Sequence, residues 1–161
     1  MKVVVWLRRR RDPVARGSLA MSLGYLANPF DLINVRDIDI IRQAGRYCSR
    51  LVLGVFTDEF AERQCGRPPI VPLTERVALV SHVRGVHKVL VHDGRTPELS
   101  PSTIYFTVVG DAPLSLPAEP WLLQSTRHTA SAVLRETLQP SHSPASSGSR
   151  GTMPRRRASV A

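Results

Sequence analysis

The chain has 161 residues and a mass of 17.8 kDa, a length that favours one domain with extensions over two domains. Apolar residues make up 42% and charged residues 22%, which allows a real core and excludes disorder throughout. The net charge of +9 sits at the ends, with Lys2, Arg8–Arg11 and Arg16 against Asp12 at one and Arg150 and Arg155–Arg157 at the other. Residues 21–139 are therefore neutral, which argues against a folded surface built to grip nucleic acid.

Cys48 and Cys65 are too few for a disulfide framework, and the five histidines lack metal-ligand spacing, so no metal site is expected. No apolar run approaches the roughly 18–20 residues that cross a bilayer. The start, MKVVVWLRRRR, places its apolar run before its arginines, the reverse of a secretory signal. A soluble cytoplasmic protein is expected.

Residues 1–20 form a basic extension broken by Pro13 and Gly17, expected to be disordered. Regular patterning starts at Met21, an alternative start of translation; a basic arm touching acidic lipid or nucleic acid is the competing reading. Leu23–Ala27 reads as a short buried strand. Asn34–Cys48 reads as a helix, with Val35, Ile38, Ile41, Ala44 and Cys48 on one side. Arg50–Phe56 is a continuous apolar run, as a parallel strand covered on both faces requires. Thr57–Gln64 and Leu73–Val83 are helical, the second opened by Pro72. Val89–His92, Ile104–Val109 and Trp121–Gln124 are further strands, and Thr129–Leu138 closes the domain as a helix. The tail from Pro140 is rich in Ser, Pro and Gly and ends in RRRASVA. It is expected to be disordered, with Ser159 in the form of a basic-directed phosphorylation site.

Strand–helix alternation predicts an α/β fold, a Rossmann-like parallel sheet with helices on both faces, spanning residues 21–139. Ligands of such sheets bind beyond the carboxyl ends of the strands, where the strand order reverses. Residues 24–31 and the start of the first helix fall there.

Three segments in this order, GYLANPFDLINVRDIDII, RLVLGVFTDEF and GRPPIVPLTERVALV, resemble the cytidylyltransferase-like nucleotidyltransferases of the glycerol-3-phosphate cytidylyltransferase type. That family reads G-x-F-D-x-x-H-x-G-H, V-x-[ST]-D-E and K-G-R-P-P-x-x-P-x-x-E-R. The likeness covers residues 22–92 in good register and 104–138 more loosely. It implies a nucleotide site at Gly24, Tyr25, Phe30, Asp31, Arg67 and Arg76, with Arg127, Thr129 and Ser131 resembling a closing Ser/Thr segment that meets the triphosphate at a helix N-terminus.

The catalytic pattern departs from the family. The H-x-G-H positions read Asn34, Val35, Arg36 and Asp37, the lysine before GRPP is Cys65, and that of a K-G-D-D segment is Val109. The resemblance gives the histidine positions, here Asn34 and Asp37, the task of stabilising charge on the α-phosphate. Losing one preorganised donor to a developing oxyanion costs about 10²–10³ in rate. Asn34 and Asp37 also have a purely structural reading, as an N-cap and an acid three residues on. The distal half is shortened: 92–103 and 112–120 carry prolines where relatives have helices.

The expectation is a family member that binds a nucleoside triphosphate, CTP or ATP, with weak or no turnover. The alternative is an active nucleotidyltransferase joining a nucleoside monophosphate to a small phosphate-bearing acceptor. There Asp31, Asp37 and Asp39 would recruit Mg²⁺, with Arg36 or Arg127 supplying positive charge. A homodimer is left open. A third reading works through the basic tails on nucleic acid or membrane.

Overall fold

In the computed structural model, which describes residues 22–138, five parallel strands form one sheet in the order β3-β2-β1-β4-β5. The strands are β1 (Leu23–Asn28), β2 (Arg50–Phe56), β3 (Val86–His92), β4 (Ile104–Val108) and β5 (Trp121–Leu123). The helices are α1 (Val35–Ala44), α2 (Asp58–Cys65), α3 (Leu73–Ser81) and α4 (Ser131–Leu138). The chain runs outward from β1 to β3 and returns to β4 on the other flank of β1. The switch point therefore lies between the carboxyl ends of β1 and β4. The basic extension, Met21, the tail and Ser159 lie outside the described residues.

Alternation along the strands builds two cores. Leu26, Leu51, Leu53, Val55, Phe106 and Val108 pack on the face of α1 and α3, against Ile40, Ile41, Ala44 and Val80. Tyr25, Val52, Phe56 and Tyr105 point to the other face, where α2 contributes Phe60 and Ala61. Irregular chain completes the cover there, through Leu99, Leu114 and Leu116. The proline-rich connections thus use single leucines to shield the sheet.

Element ends differ from the sequence reading for local reasons. The first helix stops at Ala44, capped by Gly45, and Tyr47 and Cys48 pack from the turn that follows. β3 begins at Val86 rather than Val89; it is an edge strand whose exposed His87 and Lys88 interrupt the apolar run. The last helix begins at Ser131, whose backbone N–H donates to the Thr129 hydroxyl in the turn before it. Among the described residues, no helix is long and apolar enough to cross a membrane.

Candidate functional site

A cleft of about 270 Å³ opens at the switch point. Its walls come from the end of β1 (Asn28, Pro29), the start of α1 (Arg36), the end of β2 (Phe56), the last turn of α2 (Gln64, Cys65) and the chain after β4 (Gly110, Asp111, Ala112, Leu114). The volume is close to the lower end of the roughly 300–1,000 Å³ typical of small-molecule sites. Arg67 borders a small recess that shares Pro29 and Cys65 with this cleft.

The first turn of α1 is held by a reciprocal cap. Asn34 adopts an extended backbone and its Oδ1 accepts from the amide of Arg36 at 2.9 Å. The Asn34 amide in turn donates to Asp37 Oδ2 at 3.0 Å, which completes a capping box. The two residues at the histidine positions of the resemblance are therefore engaged with the helix end. Arg36, one residue away, reaches across the mouth of the cleft to Asp111, its Nη2 lying 3.2 Å from Oδ1. Asn28 Nδ2 donates to the other oxygen of Asp111 at 2.7 Å.

Below the cleft, the loop after β1 is tightly fixed. Phe30 and Leu32 have positive φ angles of 49° and 52°, a left-handed conformation costly for side chains of this kind. Between them, the buried Asp31 accepts from the amides of Ile70 and Val71 at 2.9–3.1 Å. Its carboxylate thus ties the GRPP loop to the β1 loop. Phe30 is a core residue.

Arg76 corrects the expectation drawn from the resemblance. Its side chain is fully enclosed and lines neither recess. The guanidinium donates to the carbonyls of Pro29, Phe56 and Val71 and pairs with Asp58. A helix-borne arginine that makes four such bonds inside the protein is a strut between four segments.

Gly24 and Tyr25 are a second correction, since they lie at the start of β1 while the cleft opens beyond Asn28. A Cβ on Gly24 would stand 2.6 Å from Cys48 Sγ and 2.8 Å from Phe106, so this glycine exists for packing. Tyr25 is 1% exposed, and its hydroxyl meets His92 Nδ1 at 2.9 Å. Burial pushes the Tyr25 phenol well above its usual range and holds His92 below its ordinary value, with nearby Asp93 opposing the latter shift. His92 is boxed by Phe56 and Phe60, with ring centroids 5.4 and 5.2 Å away.

The segment after β5 is drawn to α1. Asp39 accepts from Ser125 Oγ and from Gln43 Nε2, both at 2.9 Å. The hydrogen bond from Ser125 is the main reason its carboxyl titrates below its usual value, with Gln43 and the charge of Arg127 adding to the effect. Arg127 and Thr129 are exposed beyond this anchor, and Thr129 Oγ1 lies 2.9 Å from the Oγ of the buried Ser131.

These contacts also bear on Mg²⁺. Asp31 faces two backbone amides, Asp37 caps α1 and Asp39 binds Ser125 and Gln43, so the three carboxylates serve three different structural ties. Among the described residues, no cluster of three or more His, Cys, Asp or Glu is placed to hold a metal ion.

Asn28 and Asp111 line the cleft without having been marked as site residues by the sequence. The signal for Asn28 is its place as the last residue of the central strand. Asp111 falls on the first aspartate of the K-G-D-D segment, but its pairing with Arg36, 75 positions away, has no signal in the sequence.

A five-stranded parallel sheet with a cleft over its reversal point defines a Rossmann-like α/β protein. The model of the cytidylyltransferase-like family matches residues 29–148, and the chain belongs to that family. Among solved structures, the lipopolysaccharide core biosynthesis protein from Thermoplasma volcanium is similar over 44% of this chain, at 24% identity and a TM-score of 0.43. The match takes in 57% of that protein's chain, so this chain covers little more than half of its length. No curated protein matches the chain significantly.

Proposed function

We propose that the chain binds a nucleoside triphosphate, CTP or ATP, in the switch-point cleft and turns it over weakly or not at all. One observation carries the reading: the cleft presents donors from Asn28 and Arg36, while both histidine positions of the resemblance are spent on the capping box. Binding needs donors at the cleft; turnover needs donors aimed at charge that develops on the reacting phosphate. Neither Asn34 nor Asp37 supplies a cation there. Asp37 brings a carboxylate to the helix end, and Cys65 and Val109 stand where the resemblance places lysines.

Support for the triphosphate as ligand comes from family membership and from the position of the cleft. Within this reading Arg67, beside the adjoining recess, and Arg127, Thr129 and Ser131, carried on the segment anchored to α1, are the remaining candidates for phosphate contact. Among the described residues, the connections from β3 to β4 and from β4 to β5 carry no helix, which fits weak or absent transfer to a second substrate.

The test is pyrophosphate release from CTP or ATP, with and without Mg²⁺, in the presence of glycerol 3-phosphate. No release above background is expected beside measurable nucleotide binding. Robust Mg²⁺-dependent release would favour the active nucleotidyltransferase joining a nucleoside monophosphate to a phosphate-bearing acceptor.

A further inference from the structure

Both oxygens of Asp111 are used at the mouth of the cleft, Oδ1 by the Arg36 guanidinium at 3.2 Å and Oδ2 by the Asn28 amide at 2.7 Å. Two oxygens of one phosphate group could accept from the same cationic and neutral donors that the Asp111 carboxylate now bridges. The Arg36 and Asp111 side chains are 34% and 31% exposed, so the pair stands at the surface of the cleft and can exchange partners. Asp111 follows Gly110, whose φ of 90° turns the chain after β4 back over the cleft, and the Asp111 amide closes that turn on Val108 O at 3.1 Å.

We propose that Asp111 is an internal anion that occupies the ligand donors of the cleft, Asn28 and Arg36, and that a phosphate group of the nucleotide must displace it. The proposal rests on the nucleotide reading above and adds how affinity is set. An exposed ion pair is weak, so it lowers ligand affinity without closing the site. The displaced carboxylate also remains nearby as a like charge to the incoming phosphates. Asp111 thereby sets a threshold of affinity: every ligand that uses these two donors must first offset the displaced pair.

Calorimetric titration of the full chain and of Asp111→Asn with CTP, ATP and inorganic tripolyphosphate tests this. Asparagine keeps an acceptor for Asn28 and removes the charge, and Asp111→Ser serves as a second variant. Affinity for at least one nucleotide is expected to rise about three- to tenfold in both variants, the range set by one exposed ion pair and one removed like charge. Adding Arg36→Gln to Asp111→Asn should abolish the gain. Equal nucleotide affinity in wild type and both variants would overturn the internal anion and leave the nucleotide reading standing. A gain for tripolyphosphate, with nucleotides binding no better than it, would support the internal anion and overturn the nucleotide reading. No binding of any probe by any of the proteins would overturn both.

Discussion

The guanidinium of Arg76 is fully buried, while the Asp58 side chain with which it pairs is half exposed. The pair is thus asymmetric: water still serves the carboxylate, but the arginine has only protein. Its other donors hold the carbonyls of Pro29, Phe56 and Val71, at the carboxyl ends of β1 and β2 and in the GRPP loop. The backbone that shapes the cleft is fixed by a residue outside it.

Arg76→Met is therefore expected to destabilise by about 2–4 kcal/mol, since three carbonyls lose their charged donor and part of the volume stays unfilled. Arg76→Lys should recover little, because one ammonium cannot reach partners spread around a planar fork. Urea unfolding of the two variants checks both statements.

Asn34→Ala is expected to cost about 0.5–2 kcal/mol through loss of the N-cap, whereas Asn34→Asp should be nearly neutral. Thermal unfolding measures the difference. Full tolerance of alanine would remove the cap as the reason for asparagine at this position.

Gly54→Ala concerns the opposite face of the sheet. A Cβ there would lie 2.2 Å from the Tyr25 hydroxyl and 2.9 Å from its ring carbon. Tyr25 cannot retreat without releasing His92, so the substitution is expected to cost about 1–3 kcal/mol or more. Gly54→Ala combined with Tyr25→Phe should recover part of the loss, which a double-mutant cycle would show.

The buried His92 gives the fold a pH dependence with a defined sign. Its folded pKa is depressed by burial, so in the window below the unfolded value of about 6.5 the unfolded chain binds a proton that the folded chain does not. Stability therefore falls as pH drops, by up to about 1.4 kcal/mol per unit until folded His92 itself titrates. Asp39 and Asp93, also depressed, act in a lower window, with their stabilisation present above the unfolded carboxylate value and lost as pH falls further. His92→Gln should flatten the stability curve between about pH 6.5 and 5. Chemical unfolding across that range reads the slope.

Much of the fold was legible because the sheet is parallel and central. RLVLGVF is apolar on both faces, and the Asn34–Asp37 spacing announces a cap that the structure contains. The edge was harder: β3 carries exposed His87 and Lys88, so only its apolar half was evident. The sequence marked the β1–α1 junction, and a cleft opens beside it. Family likeness marked Arg76 and Tyr25 by position in the chain, whereas their environment is set by packing against α2, β2 and His92. Contacts such as Arg36 with Asp111 join residues that only the strand reversal brings together.

Titration of CTP and ATP into the wild-type chain and into Arg36→Glu measures the proposed nucleotide binding in the switch-point cleft. Saturable binding by the wild type, lost or reduced at least tenfold in a folded Arg36→Glu, is the predicted result. Absence of binding to the wild type, or equal affinity in the two proteins, would contradict it.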